Sequence, residues 1–172
     1  MTHRIIVRSA ETNDVDAIHA LLAPYANQSV LLSRSKDDLF QHLQEFIVAE
    51  YDGELVGTAA LHIYGSNIAE IRSLVVRPDY QGKRLGHLLV EGCEKLARQL
   101  HVAQVFALTY VDSFFVSMDY SVVPKETLPH KIWTVCVHCE RFGDCDEIAV
   151  QKRLSDAAIE PMRFIPILAV TE

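Results

Sequence analysis

The stretch LVVRPDYQGKRLGHLLVEGCEKLA, Leu74 to Ala97, decides the fold. It begins as a β-type apolar run that stops at Pro78. A loop bearing Gly82, Lys83 and Gly86 follows, then a helical pattern with Leu85, Leu88, Leu89, Cys93, Leu96 and Leu100 on its inner face. A strand feeding a helix leaves backbone N–H groups unpaired at the helix start, where the helix dipole also favours an anion. Gly82 and Gly86 let a phosphate approach the backbone closely, and Lys83 and Arg84 add charge. The segment reads as a phosphate cradle, although turns of this kind also serve packing alone in many α/β proteins.

The 172 residues suit one domain with a sizeable core, and an apolar share of 49% fits a globular protein. A net charge of −7 argues against a general nucleic-acid binder, so basic residues act locally. The N-terminal MTHRIIVRSAETND is too charged for a secretory signal, and no apolar run approaches the roughly 20 residues that span a bilayer. The expectation is a cytoplasmic protein without nucleic-acid or membrane partners.

Around the cradle, RIIVR (Arg4 to Arg8) reads as a strand, and Asn13 is expected to cap a helix over VDAIHALLAPYA. Ser35 is expected to cap a second helix with Asp37 and Asp38 in its first turn and Leu39, Leu43 and Phe46 as its apolar stripe. Strands Phe46 to Tyr51 and Leu55 to Tyr64 flank Asp52-Gly53, a hairpin signal. Gly65-Ser66-Asn67 turns into a strand from Ala69 to Val76. After the long helix come a strand, Gln104 to Leu108, and a short helix, Asp112 to Met118. The order β α α β β β α β α β predicts an α+β, mixed α/β domain: a central, mostly antiparallel mixed sheet flanked by helices, spanning residues 1–153.

This order and the segment LVVRPDYQGKRLG resemble the GNAT superfamily of N-acetyltransferases, whose pyrophosphate loop follows QxxGxG or QxxGxA. Gln81 and Gly86 fit its first and last positions, while Arg84 stands where a glycine is commonest. LLSRS (Leu31 to Ser35), VGTAAL (Val56 to Leu61), Ala69 to Gly86, and Phe106 to Trp133 resemble more closely the branch that acetylates glutamate at the start of arginine biosynthesis, in its short, free-standing form. The resemblance implies acetyl-CoA as co-substrate and a small amino acid as acceptor. It places main-chain contacts to the acetyl carbonyl and pantetheine at Leu74, Val75 and Val76. The pyrophosphate then falls on Gln81, Gly82, Lys83, Arg84, Leu85, Gly86 and His87.

Direct transfer needs an amine delivered unprotonated and a thioester carbonyl near an N–H donor. Glu70 is the candidate base, since simple alternation puts Glu70, Arg72, Leu74 and Val76 on one strand face. A surface pair between Glu70 and Arg72 is the alternative. Many superfamily members carry a tyrosine acid where this chain has Phe115, and Tyr110 is the nearest substitute. A guanidinium binds a carboxylate bidentately, which makes Arg34 the first substrate-binding candidate, Arg72 the second and Lys131 the third.

Cys136-x-x-Cys139 with Cys145 and His138 offers part of a zinc set, but one close pair and a single cysteine fall short of a metal signal. Buried structural thiols are the preferred reading, and Cys93 belongs to the core. Residues 154–172 form an extension of unassigned role, whose RFIPILAV run reads as a further strand or a partner contact favouring a homodimer. Two other readings stay open: acetylation of another amine, such as a polyamine or a protein lysine, and a non-catalytic acyl-CoA-binding or metal-binding module.

Overall fold

Residues 3–28, 30–128 and 146–154 are described in the computed structural model. The apolar alternation of IIVRS gives strand β1 (Ile5–Ser9), and helix α1 (Val15–Asn27) buries Val15, Ile18 and Leu22. Its N-cap is Asp14 rather than Asn13, because a short 3₁₀ turn over Thr12–Asp14 intervenes and Asp14 bonds back to the Glu11 N–H. Ser35 caps α2 (Lys36–Gln41) as expected, its hydroxyl accepting from the Asp38 N–H at 3.1 Å. That helix stops before Leu43, which lies in a second 3₁₀ turn, and Phe46 opens β2 (Phe46–Tyr51).

The Asp52-Gly53 turn joins β2 to β3 (Glu54–Ile63), both turn residues having the positive φ that a two-residue hairpin of this twist requires. β4 (Ile68–Val76), α3 (Leu85–Gln99) and β5 (Gln104–Thr109) form a crossover whose strands pair in parallel. Helix α4 (Asp112–Val116), a two-residue strand β6 (Ser121–Val122) and β7 (Ile148–Arg153) follow. The sheet order is β1-β2-β3-β4-β5-β7-β6, antiparallel except at β4–β5.

Helices cover both faces. α3 packs Leu85, Leu89, Val90, Cys93 and Ala97 over Ile47, Ala59, Ile71 and Val105. Leu100 is not part of that inner face: it caps the helix C-terminus, 47% exposed. On the other face α1 and α2 close over Phe46, Val48, Ala60 and Val75. Among the described residues no helix is long and apolar enough to cross a membrane.

Candidate active site

Two irregularities in β4 make the site. Ala60 faces Arg72 and Thr58 faces Val75, so β4 carries one extra residue, and Ser73 takes a left-handed φ of 53° there. The bulge breaks the alternation expected for this strand. Before it, Ala69 and Ile71 face α3 while Glu70 and Arg72 face away; after it, Leu74 and Val76 face α3 and Val75 turns to the opposite cluster. Glu70 and Arg72 are therefore not on the face of Leu74 and Val76.

The second irregularity is a splay. β4 and β5 pair only from Ile68–Gln104 to Glu70–Phe106, although β4 runs on to Val76 and β5 to Thr109. Beyond Glu70 the β4 backbone has, among the described residues, an open edge toward β5, where main-chain groups can meet an extended ligand.

On the α3 side the splay leads into a cleft of about 430 Å³ lined by Leu74, Val76, Tyr80, the loop and Phe114. Gln81 folds back, its side-chain amide donating to the Val76 carbonyl at 3.2 Å. Gly82 has φ 78°, and Arg84, the N-cap of α3, is itself left-handed at φ 63°. This explains why glycine is common at that position: an L-residue there costs about 1 kcal/mol. Leu85, Gly86 and His87 supply the first turn of α3, whose N–H groups have no acceptor within the helix. Gly86 packs closely, since a Cβ would sit 3.3 Å from the Phe114 ring, which would have to give by a few tenths of an ångström. Lys83 stands outside the lining, over the Tyr51 ring. Phe114 lines the cleft, whereas Phe115 is buried beneath it against Tyr120.

The opposite face is built from side chains. Arg34 precedes the Ser35 cap, and packing rather than solvent surrounds it: its side chain is 9% exposed, pairs with Asp38 and lies over the Phe46 ring. Among the described residues its Nη2 is buried without a partner. Arg72 donates to Glu45 at 3.1 Å, lies 3.1 Å from His62 Nδ1, and has an Nε without a partner among the described residues. His62 in turn lies 3.0 Å from Glu45. Burial raises the Glu45 carboxyl, yet the His62 bond and the Arg72 charge bring it below its ordinary value.

Glu70 is not in a surface pair with Arg72; it accepts from the Tyr64 hydroxyl at 3.1 Å. Burial pushes its carboxyl above the usual carboxylate range, against the opposing pull of Arg72, the Tyr64 bond and His62. A carboxylate so placed holds a proton more readily than one in water, as proton transfer at near-neutral pH needs. Lys131, Cys136, Cys139, Cys145 and His138, like the apolar run of the C-terminal extension, lie outside the described residues.

Sequence reasoning missed Tyr80 and Phe114 on the cleft side and Glu45, His62 and Tyr64 on the other. Only the cross-strand register His62–Glu70 carried a signal for the latter group, and it requires the hairpin register to be known.

Comparison with known proteins agrees with this fold. An uncharacterised N-acetyltransferase of Chlorobaculum tepidum is 39% identical over 148 residues, 86% of this chain and 96% of that one. The amino-acid acetyltransferase of Mycobacterium tuberculosis is 37% identical over 123 residues, 70% of each chain. The structure of N-acetylglutamate synthase from Neisseria gonorrhoeae, complexed with coenzyme A and N-acetyl-glutamate, superposes with a TM-score of 0.80 at 28% identity. That match covers 88% of this chain and 35% of the synthase. Residues 14–118 match the acetyltransferase (GNAT) family, and the chain belongs to it: an acyltransferase whose co-substrate is acetyl-CoA.

Proposed function

We infer that the chain transfers acetyl directly from acetyl-CoA to the α-amino group of a small acidic amino acid, L-glutamate. The observation that carries this reading is the Arg34 guanidinium, nine-tenths buried with Nη2 unpartnered among the described residues, on the sheet face opposite the cofactor cleft. An unpaired donor on a buried cation is costly unless an anion completes it.

In this reading the pyrophosphate lies on Gln81 to His87, and the pantetheine arm runs along the open backbone of Leu74 to Val76. Arg34 takes one carboxylate of the amino acid, and Arg72 with Lys131 serves the other. Glu70 accepts a proton from the ammonium group. The freed nitrogen lone pair attacks the thioester carbon, whose developing oxyanion accepts from main-chain N–H groups on β4. The C–S bond then breaks, and CoA leaves as a thiolate that gains the proton lost by the new amide. Phe115 offers no proton for that step, so the thiolate leaves without a tyrosine acid there.

Glu45 favours a second reading. It offsets the charge of Arg72, which suits a side-chain carboxamide: the oxygen would accept from Arg72 and the NH₂ would donate to Glu45. Glutamine is then the acceptor.

A thiol-release assay with acetyl-CoA across single amino acids separates these readings. Release with glutamate supports the first, and release with glutamine in preference supports the second. Release with a polyamine but neither amino acid overturns both, and no release with any amine leaves an acyl-CoA-binding module.

A further inference from the structure

One side chain beside Glu70 has no part in the steps above. Tyr64, just past the end of β3, is 9% exposed, and its ring sits in a small apolar cluster with Phe106, Leu128 and Ala149. Its ring centroid lies 5.9 Å from that of Phe106 and 4.8 Å from that of His62, which it meets edge-on. With the ring held on two sides, the hydroxyl has one direction to point, and it donates to Glu70 Oε2 at 3.1 Å. The backbone reinforces this placement, because the Tyr64 N–H donates to the Ile68 carbonyl at 3.1 Å across the Gly65-Ser66-Asn67 turn.

A glutamate side chain has three rotatable bonds, and a base must be held within a fraction of an ångström to work. Fixing one oxygen leaves the other as the proton acceptor. We propose that Tyr64 is a positioning residue, its hydroxyl holding Oε2 of Glu70 so that Oε1 faces the ammonium group of the amino acid. The proposal rests on the reading of Glu70 as the base. The proton leaves nitrogen for Oε1, and the Tyr64 proton stays on its own oxygen throughout.

The groups around the carboxyl give the proposal its signature. Arg72 on β4, with His62 and the Tyr64 hydroxyl beside it, favours the ionised form. Burial and the charge of Glu147, ahead of β7, favour the protonated form. Tyr64→Phe keeps the ring and its apolar contacts but removes one of the favourable groups. The acid limb of the kcat/KM profile for the amino acid should then move to higher pH by about one unit, since losing a hydrogen bond to a charged group is worth about that much. At pH values on that limb the rate falls about tenfold, with the KM for acetyl-CoA unchanged. A residue that only packs would lower activity at every pH and leave the limb in place.

Difluorotyrosine at position 64, a more acidic donor, should move the limb the opposite way, and it serves where Tyr64→Phe fails to fold. Glu70→Gln is the control that separates the two assignments. If Glu70→Gln keeps the wild-type limb, Glu70 is not the base and the Tyr64 proposal falls with it. If Glu70→Gln abolishes the limb while Tyr64→Phe and difluorotyrosine leave it unmoved, Glu70 stands and Tyr64 is overturned.

Discussion

The two faces of β4 are built by different means. The α3 side is made of backbone: an open strand edge, a loop with two left-handed residues and the first turn of a helix, with apolar side chains as walls. The opposite side is made of side chains, with Arg34, Arg72, Glu45, His62, Tyr64 and Glu70 drawn from α2's approach, β3, β4 and the turn before β2. A backbone site tolerates changes of side chain, and Arg84 in a glycine position is an instance. A side-chain site is rewritten by single substitutions. The bulge at Ser73 separates the faces, and in the proposed reaction the splay beside it lets a thioester on one side meet an amine on the other.

Substitutions on the two faces should therefore differ in size and kind. Glu70→Gln should lower kcat by about 10² to 10⁴, the usual range for a positioned base, while acetyl-CoA binding measured by titration stays unchanged. Its stability should move the other way. The folded-state pKa of Glu70 is raised, so its stabilising contribution is complete below about pH 4.5 and is lost as pH rises through the folded value. At pH 7 the glutamine variant should melt at the same temperature or higher. A large loss of melting temperature would contradict the raised pKa.

Asp14 tests the sign of this argument away from the site. The Arg8 bond, 2.7 Å from Nη1, holds its carboxyl below its ordinary value. The stability it contributes is present above about pH 4 and lost as pH falls through the folded pKa. Asp14→Asn should cost about 1–3 kcal/mol at pH 7, read by urea unfolding, and the gap to wild type should narrow in acid. An unchanged gap would show that the Arg8–Asp14 ion pair contributes nothing to stability.

On the cleft side the effects should be small. Arg84→Gly relieves a left-handed backbone and should raise stability by about 1 kcal/mol, with the KM for acetyl-CoA up by about threefold from the lost charge. A tenfold or greater loss of acetyl-CoA binding would mean that this face depends on its side chains after all. Smallest of all, Cys93 is fully buried and its thiol is pushed up to about 12 by burial, so it should stay unlabelled by iodoacetamide in the native protein, as read by peptide mass spectrometry.

The same contrast governs how much could be read in advance. The cradle was legible because its signals are local: an apolar run, a proline, glycines at fixed spacing and a helical period within 24 residues. Asp52-Gly53 and Ser35 were legible for the same reason. The bulge was not, because serine carries no signal for a left-handed conformation, and without it the alternation placed Glu70 on the wrong face relative to Leu74. Glu45 and Arg72 lie 27 residues apart and meet only through the register of three strands. Arg34 could be singled out as a guanidinium near a helix start, but its burial on Phe46 depends on how α2 closes over the sheet.

In the proposed function, acyl donor and amino acid are held on opposite faces by separate groups. Initial rates of CoA release from Arg34→Ala, with acetyl-CoA and glutamate varied in turn, decide whether the two faces are separate. The kcat/KM for glutamate should fall by about 10- to 100-fold, the worth of a buried charge-assisted bond, while the KM for acetyl-CoA stays at the wild-type value. An equal loss for both substrates, or for neither, would contradict it.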